Sequence, residues 1–120
     1  MNFSTPTLIV NKTIALNNLD RMINVANKNN LILRPHFKTH QSIEIGNWFK
    51  EKGVTSITVS SITMAEFFSS EWDDITIAFT LNILEIDKLN FMIRRNKVKL
   101  LIDSISSLKI LNSHLHDSIE

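Results

Sequence analysis

The sequence predicts an α/β fold in which parallel strands alternate with helices, and three observations predict it. Short apolar runs rich in β-branched residues recur five times along the 120 residues. Each run is followed by a stretch whose apolar residues fall at helical spacing. Only two glycines and two prolines interrupt the chain, so breakers are few and connections short. Strict alternation with short loops implies parallel strands joined by right-handed crossovers. Two architectures meet that description, an open doubly wound sheet and a (β/α) barrel. Neither GxGxxG nor GxxxxGKS/T follows any strand, which weakens nucleotide-binding readings without choosing the barrel.

The elements follow in order. Thr7-Leu8-Ile9-Val10 is a short β-branched run, read as a strand. Residues 13–29 carry Leu16, Leu19, Ile23 and Ala26 at helical spacing among polar residues, the pattern of an amphipathic helix. Residues 31–37 form the second expected strand. Residues 42–52 form a helix with Ile45, Trp48 and Phe49 on its buried side, ended by Gly53 in a left-handed conformation. Residues 55–60 are the third strand. Thr63-Met64-Ala65-Glu66 fits a capping box, with Thr63 as N-cap and Glu66 reaching back. Residues 75–79 are the fourth strand, and Asn82-Ile83-Leu84-Glu85 opens another helix bearing Ile86, Leu89 and Ile93. Residues 98–102 are the fifth strand. Ser104 can cap a last helix, with Leu108, Leu111 and Leu115 facing in.

Composition excludes several function classes. Apolar content of 43% and charged content of 21% are those of a globular domain. A net charge of +1 provides no basic field for nucleic acid or an anionic membrane surface. With no cysteine there is no disulfide, thiolate metal site or cysteine nucleophile. The first residues lack a basic region followed by an apolar run, and no apolar stretch reaches the roughly 18 residues of a membrane span. A cytoplasmic protein is therefore expected.

The chemically informative stretch is Arg34-Pro35-His36-Phe37-Lys38-Thr39-His40. On a strand, Arg34, His36, Lys38 and His40 share one face, and Pro35, Phe37 and Thr39 share the other. A central parallel strand is apolar on both faces, so four polar side chains on one face break the rule. Polar residues at the C-terminal end of a barrel strand are where catalytic groups sit. A lysine there has a specific use, because cationic neighbours and partial desolvation favour the neutral amine, which can attack a carbonyl. The competing reading is a strand that simply ends, with basic side chains reaching into solvent. The pattern alone leaves both open.

The stretch Thr5-Pro6-Thr7-Leu8-Ile9-Val10-Asn11, then Asn18-Leu19, then Arg34 through Ser42, resembles the opening of the D-threonine aldolase and D-serine dehydratase family. These enzymes have an alanine racemase-like N-terminal barrel. Ile57-Thr58-Val59-Ser60-Ser61 with Met64-Ala65-Glu66, Asp73-Asp74-Ile75-Thr76-Ile77-Ala78-Phe79, and Val98-Lys99-Leu100-Leu101-Ile102-Asp103-Ser104 resemble further family segments in the same order. The resemblance spans nearly the whole chain, and its lysine motif is the specific part. Thr80 stands where the family usually has proline, and Trp72 stands near a usual glycine; both bear on loop shape.

The resemblance implies the N-terminal part of a (β/α)8 TIM-type barrel, with residues 1–120 as a partial barrel domain lacking the C-terminal β domain. It implies that Lys38 is the catalytic and cofactor-binding residue, forming the internal aldimine with pyridoxal 5'-phosphate, with Arg34, His36 and His40 lining the pocket. It implies a lyase acting on D-3-hydroxy-amino acids, by aldol cleavage or dehydration, and a homodimer when full-length. Any divalent-metal ligands belong to the C-terminal domain, so none is assigned in this chain. Two alternatives are a barrel that binds pyridoxal phosphate without turnover, and a truncated chain with no activity.

Other residues read more simply as structure. His114-Leu115-His116 has side chains that point apart on a helix and suits a solvated terminus rather than a metal. Glu66 is explained by capping, and Asp103 with Ser104 by capping of the last helix. Trp48 and Phe49 are expected in the core and Trp72 as a loop anchor. Arg94-Arg95 with Lys97 and Lys99 reads as a solvated basic face near a helix end.

Overall fold

A computed structural model describes residues 4–115. The chain divides into two compact units, residues 1–33 and residues 34–120.

The first unit contains α1 (Lys12–Lys28). Asn11 caps it, its side chain accepting from the Ile14 amide. Leu19 and Ala26 are its buried residues, two of the four positions that helical spacing selects. Asn30 ends the helix in the left-handed region at φ 53°. The Leu31 amide reaches back to the Ala26 carbonyl and the Asn30 amide to the Asn27 carbonyl, the two bonds of a Schellman motif. The run at residues 7–10 forms no strand. β-propensity lets a segment fit a ladder, but the ladder needs a partner. Leu8 and Ile9 are accordingly exposed.

The second unit carries a three-stranded parallel sheet in the order β1 (Ser56–Val59), β2 (Asp74–Thr80), β3 (Lys97–Leu101). Its helices are α2 (Ile43–Glu51), α3 (Ile62–Phe68), α4 (Ile86–Ile93) and α5 (Ile105–His114). Register places Ile57 beside Ile75 and Ile75 beside Val98, and Val59 beside Ile77. These residues make the apolar face, all nearly or fully buried. Thr58, Thr76 and Lys99 align on the opposite, polar face. The consecutive parallel strands with intervening helices are the expected α/β pattern.

Helix α2 ends as Gly53 predicts. Gly53 has φ 84°, its amide bonds the Lys50 carbonyl, and the Val54 amide bonds the Phe49 carbonyl. Ser104 caps α5 as expected, accepting from the Ser107 amide. Leu111 of that helix is buried, whereas Leu108 is half exposed, against expectation. The capping box at Thr63 is also corrected: Ser61 is the N-cap of α3 and accepts from the Met64 amide. Ser61 follows the strand almost at once, and the helix begins before Thr63 can act.

The second strand is the larger correction. Residues 31–35 form no ladder. A single parallel bridge joins His36 to Thr58, with the Thr58 amide donating to the Pro35 carbonyl. Pro35 has no N–H to extend the ladder. The chain then turns into one turn of 3-10 helix, Phe37–Thr39.

Candidate functional site

The 3-10 turn decides where each side chain of the motif goes. Phe37 is 0% exposed and is the centre of an aromatic cluster. Its ring lies 5.2 Å from Phe49, 5.0 Å from Phe68 and 5.3 Å from Trp72, the last edge-on. Gly46 makes room for it, since a Cβ there would stand 3.0 Å from the Phe37 ring. Phe37 thus packs against the helices as alternation predicts, and Trp72 is the expected anchor.

Lys38 lies on the turn, two residues past the bridge and beyond the strand, at the C-terminal end of β1. It is exposed, and among the described residues its amine meets no carboxylate and no hydrogen-bond partner. The backbone around it is held tightly. Its amide donates to His36 Nδ1 at 3.3 Å, and its carbonyl accepts from Gln41 Nε2 at 3.3 Å. Gln41 itself has φ 44°, an uncommon conformation for a residue other than glycine. Its amide closes the turn on the Phe37 carbonyl.

Arg34 and His40 separate from Lys38. Arg34 is committed to Asp74, with Nη1 2.7 Å from Oδ1 and Nη2 2.9 Å from Oδ2, a bidentate pair. Lys99 Nζ joins the same carboxylate at 3.0 Å. Asp74 is the first residue of β2, so this ion cluster sits at the start of the strands, away from the turn. The hydrogen bonds from Arg34 hold the Asp74 carboxyl below its ordinary value against desolvation, with Lys99 assisting.

His40 departs from strand alternation. Its ring lies 4.4 Å from Phe37 and stacks near Phe49 at 5.8 Å, inside the aromatic cluster. A 3-10 turn brings residues three apart onto one side, and so puts His40 with Phe37. His36 stays beside Lys38. Burial, then the Lys38 charge, lowers its basicity, and burial does the same for His40. Each ring accepts a backbone N–H on Nδ1, which places the proton of the neutral ring on Nε2.

A cavity of about 300 Å³ opens at Gln41, lined also by Ser61, Thr63, Met64 and Phe67. A second of about 320 Å³ adjoins the ends of β1 and β2 and shares Ser61. Sequence reasoning missed Gln41, since nothing in its identity signals a left-handed backbone. It also missed the Arg34–Asp74–Lys99 cluster, which depends on register. His114 is described and exposed, its Nδ1 near the Ile110 carbonyl, while His116 falls outside the described residues.

Comparison with known proteins places this geometry. No protein-family model matches the chain. It is 30% identical over 114 residues to a D-serine dehydratase of Dictyostelium discoideum, covering 90% of this chain and 29% of that protein. It is 26% identical to the D-threo-3-hydroxyaspartate dehydratase of Delftia sp. HT23, whose structure superposes with a TM-score of 0.85 over 92% of this chain and 30% of that one. The chain is homologous to the N-terminal part of these dehydratases. A D-threonine aldolase from Filomicrobium marinum, 23% identical, shares the fold with a TM-score of 0.87 over 94% of this chain and 31% of that one. An alanine racemase-like protein of Idiomarina loihiensis shares it more distantly, at 0.65. The chain thus spans about 30% of the length of the dehydratases it matches. Its fold is the N-terminal part of an alanine racemase-like barrel.

Among the described residues, no group of three histidine, aspartate or glutamate side chains is placed to hold a metal. The Delftia dehydratase is known also as a variant in a metal-free form. No described helix is long and apolar enough to cross a membrane.

Proposed function

We propose that this chain is the cofactor-anchoring segment of a pyridoxal-phosphate-dependent lyase that acts on D-3-hydroxy-amino acids, with Lys38 as the lysine that holds the cofactor. The observation that carries the reading is the state of Lys38: an exposed amine, without a partner among the described residues, on a fixed backbone at the C-terminal end of a parallel sheet. Arg34 and Lys99, by contrast, are both paired with Asp74 at the other end of the strands. Such an amine fits covalent attachment to the cofactor's aldehyde.

When bound, pyridoxal phosphate supplies an electron sink for charge that develops at the substrate's α-carbon. This chain's residues provide the rest locally. Lys38 would hold the cofactor through Nζ. The turn at residues 37–39 fixes where that amine stands. His36, neutral and protonated on Nε2, is a hydrogen-bond donor beside it. Dehydration is the favoured reaction, because the sequence relatives at 30% and 26% identity are both named dehydratases. The net change is then loss of ammonia from the amino acid to leave a keto acid. Any divalent metal would be held outside this chain, as would the phosphate cradle, and the active form would be a homodimer.

The test uses the complete protein that carries this chain. D-serine, D-threonine and D-threo-3-hydroxyaspartate are supplied in turn, and keto acid, ammonia, glycine and aldehyde are measured. Keto acid with equimolar ammonia supports dehydration, and glycine with aldehyde supports aldol cleavage. Lys38→Ala is expected to abolish both turnover and the visible absorbance of bound cofactor. Full absorbance in Lys38→Ala would remove the assignment, and no turnover with bound cofactor would favour a binding protein.

A further inference from the structure

Lys38 is the one residue of the motif whose two backbone polar groups both meet flanking side chains. The His36 imidazole receives its N–H through Nδ1 at 3.3 Å, and the Gln41 carboxamide donates to its carbonyl at 3.3 Å. The two clamping residues lie on either side of the turn, at positions −2 and +3. Neither bond is secondary structure in the ordinary sense, and each replaces a contact that water would otherwise make at an exposed turn.

The backbone at Gln41 makes the second half of the clamp unusual. At φ 44° it occupies the left-handed region, which costs a residue with a Cβ about 1 kcal/mol or more. Phe37, buried in the aromatic cluster, anchors the opposite end through its carbonyl, which receives the Gln41 amide at 3.1 Å. The turn is therefore closed by a residue in a costly conformation, and that residue's side chain then reaches back to Lys38. Asparagine or glycine would adopt this backbone more readily, but neither has an amide on a two-carbon stem.

We propose that His36 and Gln41 are positioning residues that clamp the Lys38 peptide unit, so that the amine is presented to a carbonyl ligand from a fixed base. The inference rests on the reading of Lys38 as the cofactor lysine and adds how the chain holds it. The clamp requires His36 to accept through Nδ1, so only the neutral ring serves. The charge that acts on that ring is the Lys38 cation, which disfavours the imidazolium. Gln41 contributes a donor that does not titrate.

The experiment measures how fast pyridoxal phosphate, used as the probe, attaches to Lys38 in the complete protein that carries this chain, first freed of cofactor. Attachment is trapped with borohydride and quantified by peptide mass spectrometry as a ratio to Lys109, an exposed lysine on α5. In the unaltered chain Lys38 is expected to react faster than Lys109. His36→Phe removes the acceptor and Gln41→Met removes the donor at similar size. Each is expected to lower the ratio by about fivefold, with the melting temperature nearly unchanged. His36→Asn restores an acceptor at the same two-residue reach and is expected to recover most of the ratio. A purely structural role would move melting temperature and not the ratio. Unchanged ratios in both variants would overturn the clamp, as would equal reaction of Lys38 and Lys109 in the unaltered chain. The absorbance of the complete protein tests the cofactor reading separately, so the two failures are distinguishable.

Discussion

Phe37 and Lys38 are adjacent in the chain and opposite in environment, and that contrast positions the amine. Phe37 is sealed in a cluster with Phe49, Phe68 and Trp72, so it fixes the turn from below. Phe37→Ala is expected to cost about 3–5 kcal/mol, read as a fall in denaturant midpoint. Gly46→Ala tests the same contact from the other side. Its new methyl would stand 3.0 Å from the Phe37 ring, and overpacking of this kind costs about 1–3 kcal/mol. An unchanged stability in Gly46→Ala would mean that the cluster yields freely and does not fix the turn. At this scale the sequence was informative about chemistry and less so about direction. The burial of Phe37 was legible from strand alternation, because it lies within one residue of the bridge at His36. His40 was not, because alternation assumes a strand and the chain had already turned. Arg34 was legible as a charged residue on the polar face, but its commitment to Asp74 depends on a register that the sequence does not print.

Among the elements, caps are the most direct check. Ser61, and not Thr63, receives the amide at the start of α3. Ser61→Ala is expected to destabilise by about 1 kcal/mol, and Thr63→Ala by a few tenths at most, in thermal unfolding. The reverse order would restore the capping box. Both residues are good caps by type, and the Thr63-to-Glu66 spacing is the better sequence pattern; only the short loop after β1 decides between them. Gly53 and Ser104 were legible because each is the residue of its kind at an unambiguous helix end. The strands at residues 56–59, 74–80 and 97–101 were legible as apolar β-branched runs flanked by helices. The runs at residues 7–10 and 31–33 have the same composition and no ladder. Local composition reports fitness for a sheet, while pairing is a property of the surroundings.

For the whole molecule the ionisable groups set the acid limit. His36 and His40 are both less basic than the ordinary value of 6.5, so the unfolded chain binds their protons first. Their contribution to stability is complete above pH 6.5 and is lost as pH falls through their lowered values. Asp74 is held below the ordinary 3.8, so its contribution is present above that pH and is lost only in stronger acid. Stability should therefore decline in two stages on acidification, followed by unfolding at several pH values. Asp74→Asn is expected to abolish the lower stage and to cost about 1–3 kcal/mol near neutrality, because Arg34 and Lys99 lose their shared carboxylate. A single-stage decline in the unaltered chain would contradict this arrangement. The sheet also divides cleanly into an apolar face under the helices and a polar face bearing Thr58, Thr76 and Lys99. That division was anticipated at the lysine motif alone.

The central claim is that Lys38 carries the cofactor, and one measurement tests it most directly. The complete protein, purified without added cofactor, is reduced with borohydride, digested and mapped by mass spectrometry. The account predicts a pyridoxyl group on the peptide containing Lys38 and on no other. A pyridoxyl group on a different lysine, or on none, would contradict it.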